Sequence, residues 1–313
     1  MVRGGEFRNR RPRRTLPAPN RAQADTLRRR KLKLRTVLFA VAAMILAATA
    51  IERSAAVAQP ADQQLVDTAL ILAVDTSRSV NDERFRLQMN GIAAALEDSA
   101  VIETILGGPR GAIAIQLTAW ADASTELLSW TLIRSHEEAR SAAAQIRRLP
   151  RTGGEYTCMA RMLRNLTETV LPGVPYQPLK TVIDVSGDGI DNCDSVEELD
   201  SARKGAIDLG AVINGLPVII DKDQLVGEGA YRAPGSGLVP LTPPNMRPRM
   251  TLDQWFETHV IGGFGAFIIP ANGYSDFARA MRSKFVVEIS NLEKHPERLS
   301  QPLSIASSGN SAQ

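Results

Sequence analysis

A chain of 313 residues, 44% of them hydrophobic, carries enough apolar material for one large core or two modest ones, which excludes a disordered polymer. Its formal charge of +3 is unevenly spread: residues 1–58 hold 14 Lys/Arg against 3 Asp/Glu, leaving 23 basic and 31 acidic groups beyond them, a balance near −8. An acidic body removes the electrostatic case for nucleic-acid binding.

The basic lead ends in RRRKLKLRT and runs into VLFAVAAMILAATAI at 37–51, followed by small residues in which Ala56 and Ala58 make an A-x-A pattern before Gln59. A basic stretch, a short apolar run and a small-residue cut site predict a secretory signal peptide cleaved after Ala58. The apolar run has 15 residues, short of the ~20 that span a bilayer, so no permanent membrane span is expected after cleavage. The mature chain is expected in the periplasm or outside the cell, and held at the membrane if uncut. RRKLK at 29–33 is only a loose match to the twin-arginine signal. The parse is a leader over 1–58, a linker over 59–66, one domain over 67–292 and a polar tail over 293–313.

DTALILAV at 67–74 is an apolar run ending in turn chemistry, as in a central strand covered on both faces. Asn81 caps a following helix that puts Phe85, Met89, Ile92 and Leu96 on one side. GAIAIQLTAW at 111–120 and STELLSWTL at 124–132 read as strands. SHEEARSAAAQIRRL at 135–149 reads as a helix with acidic residues in its first turn and basic ones in its last, matching the helix dipole. TCMARMLRNLTETV at 157–170 is an amphipathic helix, KTVIDVSGDG at 180–189 a buried strand ending in polar residues, and SVEELDSARKGAIDLG at 195–210 a helix. AVINGLPVII at 211–220 and GAFIIP at 265–270 are read as strands, the latter before the helix SDFARAMRSKFVVEIS. The segment 221–252, rich in proline and glycine, breaks the alternation and reads as an irregular lid or rim. Strand and helix otherwise alternate, which predicts an α/β fold: a doubly wound, mostly parallel sheet with helices on both faces and its site beyond the carboxyl ends of the strands.

Three polar clusters fall at that edge: Asp75, Ser77 and Ser79 after the first strand, Thr157 where RTGGEY enters a helix, and Asp188 in SGDG. Two carboxylates and three hydroxyls, with no imidazole or thiolate among them, suit a hard divalent cation: magnesium first, manganese or calcium as alternatives. In a loop leaving a strand, alternate side chains can turn the same way, so Asp75, Ser77 and Ser79 can converge. Two protein charges leave a dication a position for an acidic group from a partner. Ser and Asp at strand ends also serve as turn and cap formers, the plainer reading of DTSRS taken alone.

Asp184 is read as structural, and Asp122 and Asp191 as solvated loop carboxylates, with bonds that orient the ligand loops as the alternative. His136, His259 and His295 form no zinc grouping with Cys or Asp, and Trp120, Trp130 and Trp255 read as packing residues. Two cysteines, Cys158 and Cys193, permit one disulfide in an exported protein, the alternative being two free buried thiols.

D-x-S-x-S after a first buried strand, a later Thr opening a helix and an Asp-Gly after a later strand resemble the metal-ion-dependent adhesion site of von Willebrand factor type A (VWA) domains. The resemblance runs from about Leu65 to Asn291. It is nearest to a bacterial branch of unknown function, to which VIDVSGDG, INGLP and GGFGAF are also similar. It implies a VWA, Rossmann-like fold. It also implies that Ser77, Ser79 and Thr157 bind a cation directly, that Asp75 and Asp188 bind it directly or through water, and that the cation takes a carboxylate from a protein ligand. The pattern often reads GGTxT where this chain has GGEYT, so a slip of two residues would make Glu155 the ligand in place of Thr157. If Thr157 and Asp188 share a cation, Cys158 and Cys193 are neighbours, and a disulfide would pin the two loops together.

No G-x-S-x-G elbow, P-loop or H-E-x-x-H is present, and GGFGAF lacks dinucleotide-fingerprint spacing. The expectation is therefore a non-enzymatic, exported, metal-dependent binding domain for a protein partner. The alternatives are an assembly component whose metal site is closed by Glu155 or water, and a metal-dependent phosphoryl or ester hydrolase with Asp75 as nucleophile or base.

Overall fold

The computed structural model describes residues 64–222, 225–226, 230–232, 238–240 and 250–290. The expected leader and its expected cleavage site, the expected tail, and most of the segment between 223 and 249 lie outside the described residues. Among the described residues, no helix is long and apolar enough to cross a membrane.

β1 (Leu65–Asp75) is buried along nearly its whole length. β2 (Ile113–Trp120) and β4 (Gln177–Gly187) flank it, both parallel to it. A strand covered on two faces and hydrogen-bonded on two edges has no wet side, which is why its sequence is a continuous apolar run rather than an alternating one. It begins at Leu65, inside the expected linker, because Leu65 and Val66 already pair with Gln177 and Pro178. β3 (Ser124–Ile133) turns back antiparallel onto β2 through a short connection closed by Ala121 N–H donating to the Ala123 carbonyl at 3.1 Å. β5 (Ala211–Ile219) runs parallel to β4.

Two further short strands, β6 (Ala230–Arg232) and β7 (Leu238–Pro240), pair antiparallel inside the segment expected to be irregular. β8 (Ala271–Asn272) completes the six-stranded order β3-β2-β1-β4-β5-β8. The strand expected over 265–270 is not formed. That segment touches β5 mainly around Gly215, whose N–H donates to Phe267 O and whose carbonyl accepts from Ile269 N–H. The run is short because Gly265 has φ +76° before it and Pro217 on β5 lacks the N–H that would form the rung after Gly215; pairing resumes at Ala271 in the same register.

Helices cover both faces. α1 (Asp82–Glu97), α2 (Ser99–Leu106), α3 (His136–Ile146) and the last helix, Phe277–Ser290, enclose one core with Phe85, Ile92, Leu96, Ile105 and Phe285. α4 (Met159–Asn165), α5 (Val196–Asp208) and α6 (Leu252–Trp255) enclose the other, with Met159, Leu163, Leu199 and Phe256; the Phe277–Ser290 helix is α7. Asn81 caps α1, its Oδ1 accepting from Arg84 N–H at 2.9 Å. α2 was not expected from the sequence. It arises because Asp98 both ends α1 and caps the next helix, its carboxylate accepting from Ala100 N–H.

The chain leaves β1 toward β2 on one side and arrives at β4 on the other. The order therefore reverses between the carboxyl ends of β1 and β4, where such sheets open a crevice for ligands.

Candidate metal centre

Asp75 closes β1 at this switch point, fully buried, and Ser77 N–H donates to its Oδ1 at 2.7 Å. Its other oxygen, Oδ2, is buried with no hydrogen-bond partner among the described residues. A Cβ on Gly187 at the end of β4 would lie 3.2 Å from that oxygen, so the glycine keeps the carboxylate's surroundings open. Burial first, then the charge of Asp188, pushes Asp75 from 3.8 up to about 7, against hydrogen bonds from Ser77 and a smaller lowering from the nearby Asp188 backbone N–H, which does not reach hydrogen-bond geometry with Oδ2.

The hydroxyls continue outward from Asp75. Ser77 Oγ lies 3.2 Å from Ser79 Oγ, and Ser79 Oγ donates to Asp188 Oδ1 at 2.6 Å. The side chain of Asp188 is 3% exposed. Thr157 is buried, and its Oγ1 faces Gly189, 4.0 Å from where a Cβ would stand. All five sequence-predicted residues thus gather around the carboxyl ends of β1 and β4. Glu155 lies further out, ion-paired with Arg78, and its side chain is 42% exposed.

The loops carrying these groups are braced from beneath. Gln88 Nε2 donates to Asp75 O at 3.1 Å, and Thr76 Oγ1 donates to Trp120 O at 3.2 Å. Arg151 donates through Nε to Val80 O and through Nη2 to Thr76 O, gripping the turn after β1. In RTGGEYT the two glycines permit close approach. A Cβ at Gly153 would meet the Arg151 guanidinium at 2.7 Å, and one at Gly154 would meet Asp122 Oδ2 at the same distance.

Asp122 is solvent-exposed as first expected, whereas Asp191 is partly buried, and both make the loop-orienting bonds given as the alternative. Asp122 accepts from Glu155 and Tyr156 N–H at 2.9 and 2.7 Å. Asp191 accepts from Ala160 N–H at the start of α4 and from Cys193 and Asp194 N–H. Both satisfy backbone donors in the turns that position Thr157. Thr157 and Asn192 bond reciprocally, Thr157 N–H to Asn192 Oδ1 at 2.8 Å and Asn192 N–H to Thr157 O at 3.0 Å. Cys158 and Cys193 form a disulfide next to this pair, joining the Thr157 turn to the loop after β4.

Two residues at the site were not expected from the sequence. Arg84, in the first turn of α1, donates through Nη1 to Ser79 O at 2.7 Å and to Asp188 Oδ2 at 3.3 Å. Its guanidinium carbon lies 5.2 Å from the ring centre of Tyr274. Burial, then the charges of Asp188 and Asp75, raises the Tyr274 phenol far above its usual range and keeps it protonated. A signal for Arg84 was present: a cation in a helix's first turn opposes the dipole, so something outside the helix must favour it. For Tyr274 there was none.

Chemically, the donor set is all oxygen. Among the described residues, no cluster of three His, Cys, Asp or Glu side chains forms; the groups gathered here are two carboxylates and three hydroxyls. A buried carboxylate with an unpaired oxygen beside a second carboxylate is costly unless a cation or donor joins it, and hydroxyls within reach suit a hard dication.

Comparison with known proteins agrees on the fold. Among curated proteins none matches this chain. Solved structures of the same fold include the pilus adhesin SpaC from Lactobacillus rhamnosus GG, with TM-score 0.50, 12% identity, and coverage of 74% of this chain and 32% of the adhesin. Similarity is lower to the proximal thread matrix protein 1 of the mussel byssus, described with a zinc-occupied MIDAS motif, with TM-score 0.45, 12% identity, and coverage of 74% and 49%. A von Willebrand factor type A protein from Catenulispora acidiphila has TM-score 0.44, 13% identity, and coverage of 72% and 43%. The chain spans about half the length of the mussel protein. A family model described as protein of unknown function (DUF1194) matches residues 65–293. With a mostly parallel six-stranded sheet and helices on both faces, the chain belongs to the DUF1194 family and has a VWA-like fold.

Proposed function

We propose that this protein is a non-enzymatic binding domain of the exported compartment that holds a divalent cation, magnesium first, and through it engages an acidic group on a protein partner. Asp75, Ser77, Ser79, Thr157 and Asp188 would hold the cation. When bound, it supplies positive charge and an acceptor position for an anionic oxygen. The observation that carries the reading is the buried, unpartnered Asp75 Oδ2 beside Asp188, with the Ser77 and Ser79 hydroxyls linking the two carboxylates.

The chain's own residues prepare the site. Arg151, Gln88 and the Asp122 and Asp191 turns hold the ligand loops, so little ordering is left for binding to cost. Glu155 is occupied by Arg78, which speaks against a site closed by that side chain. A disulfide beside the site and a basic, apolar leader at 1–58 both support the exported compartment.

The test is calorimetric titration of the folded protein with magnesium and manganese chloride, beside Asp75→Asn and Ser79→Ala. Saturable binding lost in both variants is expected. Silence of the wild type toward magnesium, manganese and calcium would overturn the cation reading. Capture of partners that survives a chelator would favour a structural assembly role. Phosphatase or esterase turnover lost in Asp75→Ala would favour the hydrolase.

A further inference from the structure

We infer that Arg84 is a built-in counter-cation that competes with the metal ion for Asp188, so that cation occupancy and the position of this guanidinium are antagonistically linked. The inference rests on the cation reading above.

Asp188 has both oxygens engaged: Oδ1 by the Ser79 hydroxyl at 2.6 Å and Oδ2 by Arg84 Nη1 at 3.3 Å. Among the described residues, Arg84 is the cationic side chain within ion-pair distance of Asp188, and Asp75 has none. The contact is built to be reversible. A single Nη1 is shared between Asp188 and the Ser79 carbonyl, rather than forming the two-pronged pair that a guanidinium makes with a carboxylate when it is fixed there. The Arg84 side chain is 34% exposed while that of Asp188 is 3% exposed, so the guanidinium has a route to solvent and the carboxylate does not. The Tyr274 ring at 5.2 Å gives the guanidinium a second surface to rest on.

Charge counting gives the sign. Asp75 and Asp188 together offer two negative charges, which one dication matches. Arg84 on the same carboxylate adds a third positive charge at close range, and like charges there repel. Each cation therefore weakens the other's hold on Asp188, and linkage makes the effect reciprocal. A guanidinium moved off Asp188 remains at the mouth of the site, where it can take the second oxygen of an acidic ligand.

The test is manganese titration of the wild type against Arg84→Gln and Arg84→Met, the second keeping the aliphatic stem over Tyr274, with far-UV circular dichroism checking the fold. Both variants are expected to bind manganese roughly tenfold more tightly, within the usual range of coupling between sites. Arg84→Lys, which retains the charge, returns the affinity toward the wild-type value. Arg78→Gln, a charge loss at the Glu155 pair, changes it by no more than about twofold because exposed charges are screened. The melting-temperature gain on adding saturating manganese is correspondingly larger in Arg84→Gln and Arg84→Met than in the wild type.

The sign separates this role from mere packing: a structural Arg84 would weaken metal binding when removed. Wild type that binds manganese while the Arg84 variants bind equally or more weakly overturns the inference and leaves the cation reading standing. No binding in wild type or variants overturns both.

Discussion

Ser79 and Asp188, 109 positions apart in the chain, meet hydroxyl to carboxylate at 2.6 Å. The contact crosses the sheet's switch point, from the turn after β1 to the turn after β4, and it makes one polar cluster of two loops that are local turns when read separately.

Thr157 and Glu155 divide by position. Thr157 is buried against Gly189, while Glu155 pairs with Arg78 at the rim. Thr157→Ala is expected to weaken magnesium or manganese binding by about tenfold or more, and Glu155→Gln to change it little. Asp122→Ala, which frees the Glu155 and Tyr156 amides, is expected to cost about 10-fold as well, as loss of a ligand-orienting partner does. Parallel titrations check all three.

Asp75 makes stability depend on pH. Its folded pKa of about 7 lies above the ordinary 3.8, so the folded state holds the proton more tightly than the unfolded chain. Between roughly pH 4 and 7 the native protein binds more protons, and this group's contribution to stability falls as pH rises, levelling off above about 7. In chelator, wild type should therefore lose stability relative to Asp75→Asn as pH increases across that window. Added magnesium should diminish the difference at neutral pH. Melting curves at a series of pH values read it directly.

The Cys158–Cys193 disulfide closes a loop with a sequence separation of 35. Loss of loop-closure restraint in a Cys158→Ala/Cys193→Ala variant is expected to cost about 3–4 kcal/mol, measured by urea unfolding. Because the bridge adjoins the reciprocal Thr157–Asn192 bonds, cation affinity should fall with it.

A separate charged cluster lies in the core. Lys284, fully buried on α7, is 3.0 Å from Asp184 Oδ1 on β4 and 2.6 Å from Glu288 Oε1, which also accepts from Asn214 Nδ2 at 2.7 Å. Burial first, with Glu288 adding and Lys284 opposing, pushes Asp184 up to about 7. Lys284→Met leaves two buried carboxylates without their shared cation and should cost about 3–5 kcal/mol. Adding Asp184→Asn and Glu288→Gln should recover most of it. Chemical denaturation of the single and triple variants checks both outcomes.

Much of the site was legible because it is local. Asp75, Ser77 and Ser79 are spaced two apart after a continuous apolar strand, and the Asn81 cap lies within four residues of its partner. The strand expected at 265–270 failed because its apolar pattern was read, but not the positive φ at Gly265 or the donor missing from Pro217 on the strand it pairs with. α2 was overlooked because one residue, Asp98, both ends a helix and begins the next.

By itself the sequence determined the buried β1, the alternation that makes a doubly wound sheet, and the oxygen-rich turns at its edge, since periodicity and turn chemistry act over a few residues. Only the tertiary structure decided that Asp122 and Asp191 brace backbone amides, that Asp184 shares a buried lysine with Glu288, and that Arg84 and Tyr274 face the carboxylates. Those contacts depend on which strand ends lie side by side. That order follows from packing two cores against one sheet, and no short-range pattern in the chain encodes it.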